Sequence, residues 1–308
     1  MLRKYASPLL LLLVAALWGG GFVAQKSGME GLGPYSFNVA RFILATVSLI
    51  PVWFWLRRRS GQQGEVIALA RNQQRYFWLG GVVAGTVLTG GLTFQQVGLQ
   101  FTTAGNAGFI TSMYLVIVPV LGLLVGQRVR LLTWAGIALA LVGLYTLSVK
   151  PGDQVFSMGY GDSLQLIGAF FWALHVIVLG WLSRRVVDLV GLSAVQFAVA
   201  ALWSLMFAVF TETPVWQDFL GQWRPLLYSG VISSGVAFTL QIIGQRNVAS
   251  EVAALILSME AVFGLVLGVL MLGEQFTLVE LAGCALMLAG IVFTLLPDKA
   301  SVDVSKLP

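Results

Sequence analysis

Apolar runs of about twenty residues, the length that crosses the hydrocarbon core of a bilayer as a helix, recur along almost the whole chain. They extend from Leu9 to Ser27, Tyr35 to Leu56, Tyr76 to Val97, Ala104 to Val125, Leu131 to Val149, Ser163 to Leu182, Leu189 to Phe210, Pro225 to Gln245, Val252 to Leu272 and Leu278 to Leu296. Each is continuous and lacks the polar–apolar alternation of a membrane barrel strand. The chain is 58% hydrophobic and 10% charged, with a mean hydropathy of +0.87. Soluble domains carry about a quarter charged residues, and no water-soluble fold can hide this much apolar surface. The expected fold is an all-α integral membrane protein with ten transmembrane helices.

The first run follows Arg3 and Lys4 and so has the basic start and apolar middle of a secretory signal peptide. Its length and the central Trp18 argue that it is a retained helix. The longest loop, Arg57 to Arg75, is a short basic segment that holds no soluble domain, and the net charge of +5 needs no nucleic acid to explain it. With the amino terminus in the cytoplasm, Arg3, Lys4, Arg57, Arg58, Arg59, Arg71, Arg75, Arg128, Arg130, Arg184, Arg185, Arg246, Lys299 and Lys306 all fall inside. Only Lys26, Lys150 and Arg224 fall outside, beside Glu30, Asp153, Glu212, Asp218 and Glu274. The positive-inside rule then predicts cytoplasmic termini, in a plasma membrane of the bacterial inner-membrane type.

Several chemistries are excluded by residue supply. The single cysteine, Cys284, forms no internal disulfide, and the single histidine, His175, lacks partners for a zinc site. No metal or cofactor is expected. Without a phosphate-binding P-loop or a recognisable serine nucleophile, transport driven by an ion or solute gradient fits better than nucleotide hydrolysis.

An internal repeat organises the chain. AGIALALVG (Ala135 to Gly143) matches AGCALMLAG (Ala282 to Gly290) at most positions, FITSMYLV (Phe109 to Val116) resembles LILSMEAV (Leu255 to Val262), and VGQR (from Val125) faces LGEQ (from Leu272). Trp18 and Trp172 occupy matching helices. Five helices therefore repeat once. Five is odd, so the second copy enters the membrane from the opposite side, an inverted-topology repeat of the kind that places a substrate site near the midplane.

WGGGFVAQK (Trp18 to Lys26), PYSFNVARF (Pro34 to Phe42) and LGEQ together resemble the EamA-type branch of the drug/metabolite transporter superfamily. The similarity covers two EamA-like halves, residues 1–152 and 153–308. The resemblance implies ten helices, cytoplasmic termini, a central cavity and movement of small metabolites, often as export. Gln127 stands where the first half's LGE-type motif would carry an acid, and Ala261 where a proline often follows the glutamate of the ninth helix.

Two charges lie inside the apolar runs. Glu260 sits about 12 Å along its helix from Val252 at 1.5 Å per residue, too deep for contact with bulk water, so its carboxylate must face the bundle interior or a wet path. It either fixes packing or lines the pathway, binding a cation or carrying a proton. Arg41 lies about 9 Å below Tyr35 at the same rise. It stays ionised and needs Glu260, Glu30, a substrate carboxylate or water, unless it snorkels or caps carbonyl groups. Lys26 reads as a boundary charge.

Trp18 and Phe22 share one helical face, as do Trp172 and His175, and could wall a cavity or pack the core. Histidine titrates near neutral pH, which makes His175, with Glu260, a coupling candidate as well as a packing residue. Gln95, Gln96, Asn106, Gln196 and Gln241 read mainly as helix-joining amides. Gln196 aligns with Arg41 across the repeat, and Tyr114 with Glu260. Gly19, Gly20 and Gly21 offer a hinge or a tight crossing, while Gly136, Gly143, Gly283 and Gly290 read as packing surfaces.

Trp18, Phe22, Arg41, Tyr114, Trp172 and Glu260 are thus the expected substrate-binding residues. Their unequal halves suit an amino acid or related amphipathic metabolite, exported by alternating access, with protons and membrane lipids as further partners. An intramembrane enzyme on lipid-linked substrates and a lipid flippase are the alternatives, and no catalytic constellation favours the former.

Overall fold

In lipid every backbone N–H and C=O must find its partner within the protein, which favours helices wherever the chain crosses. The computed structural model describes residues 2–62, 71–102, 104–124, 126–148, 159–272 and 277–296. Among these, nine helical stretches are long and apolar enough to cross a membrane: Ala6–Gln25, Pro34–Arg59, Gln73–Leu99, Ala107–Leu124, Tyr160–Ser183, Leu189–Thr211, Trp223–Gln245, Ser250–Leu267 and Leu278–Leu295. A shorter apolar helix, Leu131–Leu147, lies between the fourth and fifth of these. Counted in chain order with that helix as the fifth, they make the ten spans used below. Helix continues into the basic segment after the second span, as far as Gln62, and resumes at Arg71. Arg57 to Gln62 and Arg71 to Arg75 of the stretch read as a loop from its charge are thus helical.

Spans pack across the two halves of the sequence. The fifth lies against the tenth, the second against the seventh, the third against the sixth and seventh, and the first against the eighth and ninth. These pairs are related by adding five to each number, so third-with-sixth mirrors eighth-with-first. Neither half buries its own apolar faces, and the centre of the molecule is a seam between them. Leu11, Val14, Tyr114, Val118, Ala173, Val176 and Ile256 close that seam from spans of both halves.

The fifth and tenth spans touch backbone to backbone. A methyl group added at Gly136 would stand 2.5 Å from the carbonyl oxygen of Gly290, and one at Gly143 would stand 2.5 Å from that of Gly283. Small residues let helices approach this closely in lipid, where dispersion rather than water exclusion drives association. At its N-terminal end the second span is joined to the seventh by one carboxylate. Glu212 accepts hydrogen bonds from the backbone N–H groups of Tyr35 at 2.9 Å and Ser36 at 2.7 Å, donors that a helix start leaves without partners.

Four spans are not uninterrupted α-helices. The first breaks at Gly20, between Leu2–Gly19 and Gly21–Gly28. The fourth breaks at Ser112 and Met113, between Ala104–Thr111 and Tyr114–Leu124. The ninth breaks at Ser258 and Met259, between Ser250–Leu257 and Glu260–Leu272. The eighth passes through a π-helical stretch, Tyr228–Val236. The fourth and ninth breaks fall on the same Ser-Met pair of the repeated motif, with the same short turns: Met113 N–H donates to Ile110 and Met259 N–H to Ile256. The ninth helix is interrupted just before Glu260 with alanine, not proline, at position 261.

The glycine seam generates a first prediction. Gly136→Ala should lower stability by about 1–3 kcal/mol, the usual cost of overpacking, seen as a lower thermal midpoint of the purified protein in detergent; an unchanged midpoint would show that the fifth and tenth helices can part freely.

Candidate functional site

A narrow cavity of ≈ 40 Å³ opens where the broken spans meet. Trp18, Gly21 and Gln25 face it from the first span, Arg41 from the second, Leu92 and Gln95 from the third, and Thr111 and Tyr114 from the fourth. Trp172 and Val176 come from the sixth span, Ser233, Phe238 and Gln241 from the eighth, and Leu257 and Glu260 from the ninth. Both halves contribute. Tyr114 and Glu260, paired by the repeat, are the first residues after the two Ser-Met breaks. Each begins a helix, whose N-terminal end favours negative charge.

Arg41 is 2% exposed. Its Nε donates to Ser234 Oγ at 2.7 Å and its Nη2 to Ser233 Oγ at 3.3 Å, while the guanidinium carbon stands 5.8 Å from the centre of the Phe42 ring. Both serines lie on the π-helical stretch of the eighth span. Among the described residues no carboxylate comes within ion-pair distance of Arg41, Glu260 and Glu30 included. The arginine does not snorkel, and two neutral hydroxyls hold it in place. Its Nη1 remains buried without a partner.

Glu260 is 8% exposed and makes no hydrogen bond or ion pair with the described residues. Around it and Arg41, other buried polar atoms are also unpartnered: Tyr114 Oη, Trp172 Nε1, Gln25 Oε1 and Gln241 Oε1. Buried polar groups are nearly always hydrogen-bonded, so this many orphaned donors and acceptors on one cavity mark a place where a polar guest or water completes them. The remaining polar neighbours are already used. Gln95 donates to Thr111 at 3.4 Å, Thr111 to Gln165 at 3.1 Å, and Gln165 back to the Gln95 carbonyl at 2.9 Å.

The aromatic wall comes from both halves. Trp18 and Trp172 stand 6.3 Å apart, and Phe238 lies 4.7 Å from Trp18 and stacks on Trp172 at 5.9 Å and 15°. Trp18 is anchored by its indole N–H, which donates to the Ser233 carbonyl at 3.0 Å. His175 lies behind this wall. It is 0% exposed, pairs through Nε2 with Gln196 Oε1 at 3.2 Å, and packs edge-on against Trp172 and Phe238. It does not line the cavity.

Of the residues expected at the site, Trp18, Arg41, Tyr114, Trp172 and Glu260 converge on one space. The Phe22 side chain, like those of Lys26 and Asn106, lies outside the described residues. Gln96 joins the second and third spans through Asn38 at 3.0 Å and so acts as helix glue, whereas Gln95 and Gln241 reach the cavity. Ser233, Ser234, Gln25, Thr111 and Phe238 were not legible as site residues. The serines sit in a run with no distinctive spacing, and only the π-helical turn rotates them towards Arg41.

This is a multi-pass membrane protein whose two halves, packed against each other, enclose a polar cavity at their seam. The EamA-like transporter family matches residues 6–149 and again 159–296, and the chain belongs to that family. A transporter described as uncharacterized from Archaeoglobus fulgidus is 33% identical over 94% of this chain and 85% of its own length. Similarity at 24% identity extends to a WAT1-related chloroplastic protein of Arabidopsis thaliana, over 91% of this chain and 67% of that one. A crystal structure shares the fold with a TM-score of 0.75 at 19% identity, over 94% of this chain and 96% of the other. The protein is a membrane transporter of the drug/metabolite type.

The clamp on Arg41 yields a second prediction. Ser234→Ala removes the shorter bond to the guanidinium and should cost about 1.5–3 kcal/mol, as for other hydrogen bonds to charged groups, read from unfolding in detergent; Ser234→Thr should keep most of it. Equal stability of the alanine variant would mean that Arg41 is held by something other than these hydroxyls.

Proposed function

We propose that the protein carries a zwitterionic, amphipathic metabolite such as an amino acid, and that it exports it by alternating access of the central cavity. The observation that carries this reading is the convergence of a guanidinium and a carboxylate, not paired with each other, on one cavity rimmed by orphaned polar atoms. A substrate carboxylate would accept from Arg41 Nη1 and from the Trp172 indole. Its ammonium would donate to Glu260 and to the Gln25 or Gln241 carbonyl oxygen. Its apolar part would meet Trp18, Phe238 and Leu92.

At ≈ 40 Å³ the cavity holds a few waters at about 10–15 Å³ each, far below the roughly 300 Å³ of small-molecule pockets. Transport therefore requires the spans around the cavity to move apart. The interruptions at Gly20, Ser112–Met113 and Ser258–Met259 supply the joints, since a helix break lets one half-helix tilt without unmaking the other. Glu260, standing directly after one of them, is in our reading the group that takes up a proton and couples its release to the substrate. The sealed position of His175 supports a packing role for it. Residues 1–152 and 153–308 are the two repeats, and spans of both surround the cavity. The ends of the spans that collect Arg57, Arg58, Arg59, Arg75, Arg128, Arg184, Arg185 and Arg246 face the cytoplasm of a plasma membrane, with both termini on that side. Family membership favours this reading over an intramembrane enzyme or a flippase.

Flux of a radiolabelled solute panel into and out of sealed proteoliposomes tests the proposal. Glu260→Gln should reduce proton-gradient-driven flux at least tenfold while counterflow of the same solute persists; unchanged gradient-driven flux rejects a proton-carrying carboxylate. Arg41→Gln should weaken zwitterionic and anionic solutes more than cationic ones, and an equal loss for all would make Arg41 structural.

A further inference from the structure

A second and larger opening lies well away from the central cavity. It is a cleft of ≈ 790 Å³ at the arginine-rich end of the bundle, between the start of the third span and the end of the sixth. Arg75, Arg184, Gln127 and Ser250 contribute its polar lining. Much of the remaining lining is aliphatic, from Leu79, Val83, Val178 and Leu182. Among the described residues its lining contains no carboxylate.

The two arginines are available. Arg75 makes no hydrogen bond or ion pair with the described residues. Arg184 uses one Nη2 donor on the Val248 carbonyl at 3.3 Å, which aims the guanidinium and leaves its other donors without partners among the described residues. Two aromatic rings flank them in a fixed arrangement. Tyr76 meets Trp181 edge-on at 5.3 Å, and Arg185 lies over the Trp181 ring at 4.1 Å while donating to its carbonyl at 3.2 Å. Tyrosine and tryptophan beside basic residues mark the headgroup level of a bilayer. Leu79 and Val83 follow Tyr76 along the third span, about half exposed, where acyl chains run.

We propose that this cleft binds one anionic phospholipid, its phosphate between Arg75 and Arg184 and an acyl chain along Leu79, Val83 and Val178. Charge complementarity selects the occupant. A basic pocket between helices at headgroup depth attracts anionic lipid, and guanidinium forks suit phosphate oxygens. A zwitterionic lipid brings its own ammonium to the same arginines and gains less. Because the cleft touches the third, sixth and ninth spans and the loop after the fourth, a lipid seated there would also brace elements from both halves.

Native mass spectrometry of the full-length protein in detergent, titrated with phosphatidylglycerol or phosphatidylcholine, provides the test. The wild type should retain one phosphatidylglycerol at least tenfold more tightly than phosphatidylcholine. R75Q/R184Q should abolish the preference, R75K/R184K should keep part of it, and R58Q/R59Q, at the same end but outside the cleft, should leave it intact. Gln127→Glu places a carboxylate in the lining without removing either arginine and should weaken the anionic lipid alone, which keeps the test informative if the double variant folds poorly. Equal retention of both lipids by the wild type, an unaltered preference in R75Q/R184Q, or an equal loss in R58Q/R59Q would overturn the assignment. Displacement of the lipid by millimolar glycerol phosphate would also overturn it, pointing to a site for a soluble phosphate compound.

Discussion

A guanidinium that is 2% exposed inside a membrane bundle, with no carboxylate among the described residues at ion-pair distance, is the constraint around which the centre of this molecule is arranged. Arg41 cannot shed its charge as a lysine can, and leaving it against lipid is costly on every scale. The eighth span meets it by leaving α-helical geometry. Over Tyr228–Val236 the π-helical turns bring two consecutive serines, Ser233 and Ser234, to one guanidinium. π-Helical segments are uncommon and cluster at functional sites. Here the geometry ties the second span to the eighth, one from each half, across the cavity.

The clamp leaves one side of the guanidinium open, and that opening gives the cavity its character. Had Glu260 closed on Arg41, the pair would have neutralised itself as a structural salt bridge. Instead the acid sits on the ninth span, immediately after a helix break, and the base on the second. Polar atoms of Tyr114, Trp172, Gln25 and Gln241 stand nearby without partners. A low-dielectric setting makes each orphaned group expensive. The protein thus maintains a strained polar surface in its interior, an arrangement that a transiently bound zwitterion would relieve.

The twofold pattern of packing explains where that surface lies. Every major helix pairing joins the two halves, and pairings recur after a shift of five spans. The repeated Ser-Met motif breaks both the fourth and ninth spans at the same point, but the residues that follow differ: tyrosine in one half, glutamate in the other. Symmetry of backbone with asymmetry of side chain thus lets two matching half-helices present unlike groups to one cavity. Gly136 against Gly290 and Gly143 against Gly283 lock the outer flank of the seam between the halves, away from the cavity.

The span boundaries, the doubling of the chain and the depth of Glu260 and Arg41 were legible in residue order, because the length of an apolar run and the position of a charge within it are one-dimensional facts that lipid converts directly into helix and cost. Trp18 and Trp172 were legible as opposed walls for the same reason, since the repeat placed them in register. Other features were decided only by tertiary packing. Ser233 and Ser234 became partners of Arg41 through a π-helical turn that no local spacing announces. Gln241 and Gln96 look alike in sequence, yet one faces the cavity and the other joins two helices, because rotation of a helix about its axis is set by its neighbours. His175 was placed behind the aromatic wall, and Arg41 was kept apart from Glu260, by contacts between spans distant in the chain. Sequence determined how many times the chain crosses and what each crossing carries; only the packing of one half against the other decided which of those groups meet.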